Sequence, residues 1–520
     1  MTERQDFMEY ILDINSPVHP LNHYWELCVG SGHAVLALRE DYRQQLAKCA
    51  RELGFRYVRF HGLFSDDMSV CLSVRRGFGP GAIGGEVRLS FTNIDSIFDF
   101  LLSIGMKPFV ELSFMPEVLT SGTTTLFHWK ALTSPPNDYD RWEWLVEQFA
   151  SHCVDRYGLD EVRQWYFEVW NEPNLGGRGA SHGFWGGDLE DYLKLYDHSA
   201  AGLKKVDQRL RVGGPSTADN EWVPELIRHC SENNVPLDFI TTHNYATDLL
   251  TGPRHGQQKL QLGSFKDMSD EDRKRQMNTM RKRRWETIPR GILTDWAKEV
   301  REEAGDLPLI YTEWNPQGGE ATDGPFGSSF TVKTVMDNHG IVDGYSYWTF
   351  SDIFEEQGMP HVPFAGTFGM QTIQGIPKAP YRAFQLLHKL GFEEYDHQYA
   401  EGNIDIYAVR KEASSAIQIL IVNHNSLEHP IEDETVQIKM TGVQTFAAAT
   451  IERIDETHGN PVRRWHELGE PDYLTQNQIS DLEAASYVKV EALKIDYDGD
   501  TLTTSVDIPA MGVALITVFL

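Results

Sequence analysis

The sequence predicts an α/β protein in which a barrel of parallel strands is followed by an antiparallel β-sandwich. From about residue 24 to about residue 390, short apolar runs with strand character alternate with longer segments of helical periodicity. After about residue 395 the pattern changes to short strands and turns, with little helical periodicity. A chain of 520 residues is also too long for one compact core. We therefore expect a barrel domain over residues 15–392 and a sandwich over residues 393–520.

The barrel is predicted from the number of its strands. Eight runs have strand character: Trp25–Val29, Arg56–Phe60, Pro108–Leu112, Trp165–Trp170, Arg211–Gly213, Phe239–Thr242, Leu309–Thr312 and Gly344–Trp348. Helical segments lie between them, and one of the clearest has four residues on a single face, which are Trp142, Leu145, Phe149 and Cys153. Eight alternating β and α units are typical of a (β/α)8 TIM barrel.

The sandwich is predicted from strands joined by turns. The five runs are Asn403–Arg410, Ala416–Asn423, Thr435–Met440, Thr450–Ile454 and Val513–Phe519. The apolar run Tyr10-Ile11-Leu12 lies far from these strands in sequence, but it has strand character. We expect residues 1–14 to add an edge strand to the sandwich.

The charge of the chain restricts its partners. Lys and Arg number 47 and Asp and Glu number 76, which gives a net charge of −29. Such a field repels polyanions, so nucleic acid and acidic lipid are unfavourable partners. A small neutral substrate is the simpler expectation.

The cysteines and the first residues indicate the compartment. The five cysteines are odd in number and no two have metal-ligand spacing, which favours reduced, mostly buried thiols in a reducing compartment. The chain opens with mixed charges, and no stretch approaches the roughly 18 apolar residues of a membrane helix. The sequence therefore predicts a cytoplasmic protein without a membrane partner.

Residues 252–290 form an unusually long connection for a barrel and contain a basic cluster, Arg273-Lys274-Arg275 with Arg281-Lys282-Arg283-Arg284. Such a charge run is most often a solvated helix face. Pairing with an acidic neighbouring subunit is the alternative, and it gives one route to a homo-oligomer. Nucleic-acid binding ranks last because of the net charge.

Two glutamates follow predicted strands four and seven. Asn171-Glu172-Pro173-Asn174 follows strand four, and Thr312-Glu313-Trp314-Asn315-Pro316 ends strand seven. The active sites of TIM barrels lie at the carboxyl ends of the strands, and strands four and seven face one another across the barrel mouth. A single such Glu is more often a salt bridge or a loop cap. The pair indicates a function.

Two facing carboxyl groups are what cleavage of a glycosidic bond needs. One is protonated and assists the leaving oxygen, while the other is ionised and attacks the anomeric carbon. The charge of the ionised group raises the pKa of its neighbour and keeps that neighbour protonated near neutral pH. When the covalent ester forms, this charge disappears and the acid can act as a base.

Five motifs in order over about 300 residues give a resemblance to a known family. They are the runs at residues 59–67 (RFHGLFSDD), 170–175 (WNEPNL), 242–245 (THNY), 311–315 (YTEWN) and 347–356 (YWTFSDIFEE). With them the chain resembles glycoside hydrolase family 39, the β-xylosidases and their α-L-iduronidase relatives, within the clan of TIM-barrel retaining glycosidases. The predicted sandwich fits this family too.

The resemblance implies roles for individual residues. Glu172 would be the general acid/base and Glu313 the nucleophile, and Asn171 would hydrogen-bond the 2-hydroxyl of the sugar. His61 would contact outer hydroxyls, and His243 and Tyr245 would lie beside the nucleophile, with the Tyr245 hydroxyl orienting Glu313. Trp348 would form the floor under the sugar ring. Phe114 belongs to the same wall, although packing is its more common role.

The adjacent acids Glu355 and Glu356 bear on the substrate. Paired acids in a loop are usually solvated, but at the family's position they would accept hydrogen bonds from hydroxyls of the terminal sugar. Carboxylates there would repel a uronic acid and suit a neutral sugar. The resemblance, rather than the residues themselves, implies that this sugar is xylose.

The sequence therefore predicts a retaining exo-β-1,4-xylosidase that releases xylose from the non-reducing end of short xylo-oligosaccharides. It would need no cofactor or metal, since His61, His182 and His243 lie on separate segments without ligand spacing. The alternatives are another retaining exo-glycosidase, iduronidase- or arabinosidase-like, and a non-catalytic sugar-binding barrel. A binding protein would have no need of both Glu172 and Glu313.

Overall fold

Eight parallel strands close into a barrel in the computed structural model, which describes residues 8–76, 83–256, 269, 282–356, 358–396 and 399–520. Each strand pairs with the next one along the chain, and the eighth pairs with the first. In chain order the barrel strands are Cys28–His33, Tyr57–His61, Lys107–Leu112, Tyr166–Val169, Arg211–Thr217, Phe239–Tyr245, Leu309–Asn315 and Gly344–Tyr347. The predicted (β/α)8 barrel is confirmed.

Helices cover the outside of the barrel and bury their apolar faces on it. The principal ones are Glu40–Leu53, Thr92–Ser103, Tyr139–Tyr157, Leu189–Val206, Val223–Asn233, Ile292–Ala304, Pro325–Asp337 and Ala379–His388, with short turns at Leu159–Val162 and Asp248–Thr251. The third begins after Asp138, whose side chain accepts hydrogen bonds from the backbone N–H groups of Asp140 and Arg141. Its four predicted core residues, Trp142, Leu145, Phe149 and Cys153, are all buried.

The first barrel strand begins later than the sequence predicts. Residues Tyr24–Glu26 form a 3-10 turn rather than the start of a strand, and the strand runs over Cys28–His33. Trp25 is buried in this turn, where its ring stacks on His23 at a centroid distance of 4.5 Å. A short apolar run does not distinguish a buried turn from a strand. Because the strand ends at His33, this histidine lies at the carboxyl end of the barrel.

The C-terminal region contains two mainly antiparallel sheets around a common apolar core, as predicted for a sandwich. The larger sheet contains Val18–Pro20, Glu393–Tyr395, Tyr399–Glu401, Ile404–Lys411, Ala416–Asn423, Ala448–Ile454, Glu491–Ala492 and Val513–Phe519. The smaller sheet contains Met8–Asp13, Glu434–Thr441, Asp496–Tyr497 and Leu502–Ile508. Its first strand is an edge strand that runs parallel to Glu434–Thr441.

Three features of this region depart from the prediction. Strand Leu502–Ile508 was not predicted, and helices Pro461–Glu467 and Gln476–Ser486 contradict the expectation of little helix. The second helix begins with a capping box between Thr475 and Gln478, a local signal that a search for strands overlooks. The short strand Val18–Pro20 pairs with Glu393–Tyr395, so the chain joins the sheet beyond residue 14. The domain boundaries at residues 14 and 392 stay a prediction.

The basic insertion lies mostly outside the described residues, including Arg273-Lys274-Arg275 and Arg281. Its described end contacts the sandwich of the same chain. Trp285 is buried edge-on to Phe326 with ring centroids 5.3 Å apart, and the Arg290 guanidinium forms an ion pair with Asp405. This end of the insertion therefore connects the two domains. The solvated face and the subunit contact predicted for the basic cluster stay predictions.

The cysteines and the helices bear on the predicted environment. All five cysteines are free and buried. In the part of the chain that the structure describes, no helix combines the length and the apolar character needed to span a membrane.

A buried lysine joins the loops that follow strands seven and eight. Nζ of Lys378 lies 2.7 Å from a carboxylate oxygen of Asp323 and 2.7 Å from one of Asp352. The other oxygens of these carboxylates accept hydrogen bonds from the backbone N–H groups of Gly366 and Gly369, each at 2.8 Å. The cation therefore holds the loop after strand eight in place.

Replacing this lysine should destabilise the fold strongly. Lys378→Met leaves two buried carboxylates without their cation, and such a loss typically costs about 3–5 kcal/mol. We expect a corresponding decrease in the free energy of unfolding, measured by urea denaturation. Lys298→Met is the control, because Lys298 is largely exposed and its ion pair with Asp295 spans 3.7 Å. Equal stability of the two variants would contradict the role of Lys378.

Candidate active site

Glu172 and Glu313 lie together in a pocket at the carboxyl ends of the barrel strands. Glu172 follows strand four and Glu313 lies near the end of strand seven, and they are 8% and 4% exposed. An oxygen of one carboxyl group lies within 4.8 Å of an oxygen of the other. This spacing is closer to the separation of about 5–5.5 Å found in retaining glycosidases than to the roughly 6.5–9.5 Å of inverting ones.

The backbone before Glu172 turns sharply into the pocket. Trp170 and Glu172 have φ angles of 71° and 44°, which are in the left-handed region that costs energy for residues other than glycine. The backbone N–H of Glu172 donates to the carbonyl oxygen of Ser216 at 2.8 Å. The indole N–H of Trp170 donates to the carbonyl oxygen of Phe184, also at 2.8 Å. These bonds fix the turn that directs the Glu172 side chain across the barrel.

A fully buried arginine lies beneath both glutamates. The guanidinium of Arg59, in strand two, forms ion pairs with Glu111, Glu168 and Glu313. The Glu111 and Glu313 contacts are both 2.9 Å. Another N–H group of Arg59 donates to Asn171 Oδ1 at 2.8 Å. One cation therefore connects strands two, three, four and seven at the base of the pocket.

Glu313 is surrounded by donors that favour its ionised form. Arg59 Nη1 donates to its Oε1 at 2.9 Å, and the Tyr245 hydroxyl donates to its Oε2 at 2.8 Å, which is the contact that the sequence analysis expects. Burial raises the pKa of Glu313, while the charges of Arg59 and His61 and the Tyr245 hydroxyl oppose that rise. The negative charge of the pair is therefore best stabilised on Glu313.

Glu172 has the opposite environment. Burial, followed by the nearby carboxylates of Glu313, Asp248 and Glu356, raises the pKa of Glu172 well above its usual range. The charge of Arg59 opposes this rise, but it is a smaller influence than burial and these carboxylates. The proton of the pair therefore resides on Glu172.

His243 lies between the two glutamates and is neutral. Burial and the neighbouring Arg59 and His61 hold the pKa of His243 well below its usual range. Its Nε2 faces Arg59 Nη2 at 3.4 Å, so this nitrogen accepts and the proton is on Nδ1. Nδ1 is 3.0 Å from Glu172 Oε1 and 3.7 Å from Glu313 Oε2. The sequence placed His243 beside the nucleophile, and in the structure it contacts Glu172 more closely.

Asn171 presents a free amide to the pocket. Its Oδ1 accepts from Arg59, and its buried Nδ2 has no hydrogen-bond partner within the described part of the chain. A buried donor without a partner costs energy unless a ligand satisfies it. Nδ2 is therefore available to a hydroxyl of a bound sugar.

Aromatic rings form the wall and floor of the pocket. The Trp348 ring lies 4.7 Å from the His61 ring and 5.9 Å from the Arg59 guanidinium. It passes over Gly30, where an added Cβ would come within 2.4 Å of the indole, so only glycine fits there. Phe114 is fully buried, edge-on to Trp170 at 5.5 Å and 6.1 Å from the His61 ring. Phe114 supports the wall from behind.

The acidic pair lies at the end of the pocket near strands one and two. Nε2 of His61 lies between two carboxyl groups. It is 3.8 Å from Oε1 of Glu356 and 3.7 Å from Oε1 of Glu313. Burial, with the charges of Glu313 and Glu111, raises the pKa of Glu356 well above its usual range. Oε1 of Glu355 instead lies 3.0 Å from Nδ1 of His33, and the two carboxyl groups therefore have different partners.

Several residues of the site were not among the sequence candidates. They include Arg59, Glu111, Glu168, Ser216, Thr312, His33 and Trp129. A signal was present for the first three, since each is a charged residue inside a short apolar strand, where burial requires a partner. No such signal marks Ser216 or Thr312, whose hydroxyls meet His243 Nε2 at 3.2 Å.

The pocket also contains a group that resembles a metal site by distance alone. One ligand atom each of Glu172, His243 and Glu313 lie within 4.8 Å of one another. The Nδ1 proton of neutral His243 occupies the position that a cation would need. The hydrogen bonds account for this arrangement, and the predicted independence from cofactors stays a prediction.

This constellation defines a class of protein. A protonated and an ionised carboxyl group face each other at the ends of strands four and seven of a (β/α)8 barrel, as in a retaining glycoside hydrolase. The chain belongs to the family described as glycosyl hydrolases family 39, whose model matches residues 8–501. This confirms the family resemblance seen in the sequence motifs.

Named relatives agree with this membership. The chain is 45% identical to a β-xylosidase of Caldicellulosiruptor saccharolyticus over 94% of its own length and 93% of that protein. It is 34% identical to a β-xylosidase of Geobacillus stearothermophilus over 89% of this chain and 86% of the relative. A crystal structure of a family 39 β-xylosidase from Caulobacter crescentus superposes with a TM-score of 0.76 and 29% identity, covering 98% of this chain and 100% of that one.

The hydrogen bond from Tyr245 to Glu313 gives a test of the site. Tyr245→Phe removes a donor to an ionised carboxylate, an interaction of about 1.5–3 kcal/mol, so kcat/KM for the enzyme's substrate should fall about 10-fold to 150-fold. Steady-state kinetics measures this loss. Tyr196→Phe is the control, since it removes a hydroxyl that donates to the carbonyl oxygen of Pro236 at 3.0 Å, outside the pocket. Equal activity of the two variants would contradict the assignment.

Proposed function

We propose that this glycoside hydrolase is an exo-β-1,4-xylosidase that releases xylose from the non-reducing end of short xylo-oligosaccharides with retention of configuration. The observation that carries the proposal is the pair Glu172 and Glu313, close together but with opposite electrostatic surroundings. Two relatives are named β-xylosidases, and they align with 94% and 89% of this chain at 45% and 34% identity. Their names support xylose as the sugar.

The first chemical step uses both glutamates. An oxygen of ionised Glu313 attacks the anomeric carbon while the Glu172 carboxyl protonates the departing glycosidic oxygen, so the glycosidic bond breaks as the ester bond forms. Arg59 and the Tyr245 hydroxyl hold the attacking carboxylate. The free Nδ2 group of Asn171 supports a hydrogen bond to the 2-hydroxyl of the sugar, as the family resemblance implies.

The second step returns the enzyme to its starting state. Formation of the ester removes the charge of Glu313, so the pKa of Glu172 falls and this residue becomes a base. Glu172 accepts a proton from water, and the resulting hydroxide oxygen attacks the anomeric carbon and releases Glu313 as carboxylate. Two inversions at the same carbon give a β-configured xylose product.

The end of the pocket beside Glu356 supports cleavage at a chain terminus. The N–H of His128, in the loop after strand three, donates to the carbonyl oxygen of Glu356 at 3.1 Å. His33, at the end of strand one, contacts Glu355. The loops after strands three and eight therefore meet the end of strand one there, and this convergence supports a terminal sugar residue at Glu172 and Glu313.

The alternatives differ in the substrates they accept. Glu355 and Glu356 favour a neutral sugar, and an iduronidase-like enzyme would have to bind a carboxylate beside them. A panel of aryl β-xyloside, α-arabinoside and α-iduronide distinguishes these enzymes. A non-catalytic sugar-binding barrel would bind sugars and hydrolyse none of them, and the facing acid and base count against it.

Substitution of the two glutamates tests the mechanism. Glu313→Ala should abolish turnover of every substrate because no ester forms. Glu172→Ala should reduce kcat/KM for xylobiose about 10²- to 10⁴-fold and spare the first step with an activated phenol, which leaves without a proton. Release of nitrophenol, with NMR detection of the first anomer of xylose, measures both effects. The exposed Glu320→Ala is the control, and an α-xylose first product would overturn the retaining mechanism.

The pKa of Glu172 predicts a pH dependence. Only protonated Glu172 can assist the leaving group, so kcat/KM for xylobiose should fall as the pH rises through this raised pKa. Glu313→Gln removes the neighbouring charge and should shift the pKa of Glu172 downward. A titration of ¹³C-labelled glutamate carboxyl groups by NMR measures this shift in the inactive variant. The same pKa in both proteins would show that Glu313 does not control the proton.

The cellular setting stays a prediction. Five free, buried cysteines support a reducing compartment such as the cytoplasm. A homo-oligomer formed through the basic insertion or the sandwich is the predicted assembly, and light scattering on the purified protein would measure it.

A further inference from the structure

His33 occupies an unusual position at the end of the pocket. It is the last residue of strand one and is 3% exposed. Its Nδ1 lies 3.0 Å from Oε1 of Glu355, in the loop after strand eight. Its Nε2 lies 3.0 Å from Oδ2 of Asp67, in the loop after strand two, as an ion-pair contact that is not aligned as a hydrogen bond. Both ring nitrogens therefore face carboxylates.

This placement suits a charged imidazole. A neutral imidazole has one N–H group and would direct a lone pair at one of the two carboxylates, whereas an imidazolium is attracted to both. Burial alone would lower the pKa of His33, but the contacts with Asp67 and Glu355 outweigh burial and raise it. The charge of Glu355 also raises the pKa of Arg39.

An aromatic ring holds the imidazole on its face. The Trp129 indole stacks on His33 with a centroid distance of 3.6 Å and an interplanar angle of 5°. A cation on the face of a Trp ring is stabilised by the ring electrons. Trp129 also packs against Phe127 and Phe114, whose rings lie about 6 Å from the His61 ring. The ring of His33 is thereby fixed relative to the pocket wall.

The contact with Glu355 extends into the pocket through the next residue. Glu356 approaches His61 at 3.8 Å, and its carbonyl oxygen accepts from the N–H of His128, which directly precedes Trp129. His33 and His128 therefore secure the acidic pair from two sides, one through a side chain and one through the backbone. The Glu355 carboxylate has no other hydrogen-bond donor among the described side chains.

We propose that His33 is a positioning residue for recognition of the terminal sugar: as an imidazolium between Asp67 and Glu355, it holds the Glu355 carboxylate in the orientation that binds the sugar hydroxyls. His33 itself acts through Glu355 and does not take part in bond cleavage. Nothing in the chemistry of Glu172 and Glu313 requires it. The inference rests on the proposed function in taking this end of the pocket as the sugar site and Glu355 as a residue that binds the sugar hydroxyls.

A double-mutant cycle tests this role. His33→Phe keeps a ring on Trp129 and removes both nitrogens, and Glu355→Gln removes the paired charge. Each variant should raise KM for an aryl glycoside about tenfold with a smaller change in kcat, because loss of a charge-assisted hydrogen bond weakens binding by that order. The double variant should be no worse than the more affected single variant. Additive effects would overturn the proposal.

The chain offers a matched control. His23 is also a buried histidine with Nδ1 2.8 Å from a glutamate, Glu26, and its ring stacks on Trp25. It precedes strand one, at the opposite end of the barrel. His23→Phe should leave KM unchanged even where it lowers stability. An equal rise of KM in His23→Phe and His33→Phe would show a general structural effect and overturn the proposal.

A second measurement does not depend on catalysis or on the His33→Phe protein. In NMR spectra with ¹³C-labelled histidine, the imidazole of His33 should titrate above the ordinary pKa of histidine, and Glu355→Gln should lower that pKa. An unchanged pKa would overturn the proposal. The kinetics use whichever aryl glycoside the wild type hydrolyses. If the wild type hydrolyses a glycoside of another sugar, the proposal that xylose is the substrate is wrong. The role of His33 is then tested with that other glycoside.

Discussion

The charge of Arg59 is the constraint on which the pocket depends. Its guanidinium has no exposed surface, and it contacts Glu111, Glu168 and Glu313 as well as the side chain of Asn171. Burial disfavours the charged form of a carboxyl group, and the positive charge of Arg59 offsets that cost for its neighbours. The arginine thus allows a nucleophilic carboxylate to exist inside an apolar barrel. It also contributes to the asymmetry of the site, because it forms an ion pair with Glu313, whereas burial and neighbouring carboxylates dominate the surroundings of Glu172.

The electrostatic difference between the two glutamates comes from their separate surroundings. Glu313 receives donors from Arg59 and Tyr245, whereas the neighbours of Glu172 are mostly carboxylates. His243 lies between the two glutamates. It is neutral because burial and the neighbouring charge of Arg59 disfavour a charged imidazole. The arrangement can move one proton on and off Glu172 during a catalytic cycle while the rest of the network keeps its charge. A rigid scaffold of barrel strands suits this task because it keeps the carboxyl groups at a fixed separation.

Cations placed between carboxylates also fix the loops at the carboxyl ends of the barrel strands. Lys378 links the loops after strands seven and eight through Asp323 and Asp352, and His33 links the loops after strands two and eight through Asp67 and Glu355. In both cases a buried or nearly buried cation lies between two carboxylates from different loops. Segments without regular secondary structure are thereby held in definite positions, which a pocket for one terminal sugar requires.

The sequence by itself determined the barrel, most of the long sandwich strands and the positions of Glu172 and Glu313, because periodicity and the ends of strands are local properties of the chain. It also contains Arg59, Glu111 and Glu168 as charged residues within apolar strands, a signal that was not used and that could not show that they meet. Pairing of residues more than 100 positions apart, as in Arg59 with Glu168, depends on closure of the barrel. The tertiary structure alone decided that strand one reaches His33, that His243 contacts Glu172, and that Glu355 and Glu356 have different partners. Proton positions and charge stabilisation are set by distances in space, and these distances follow from packing of the whole fold.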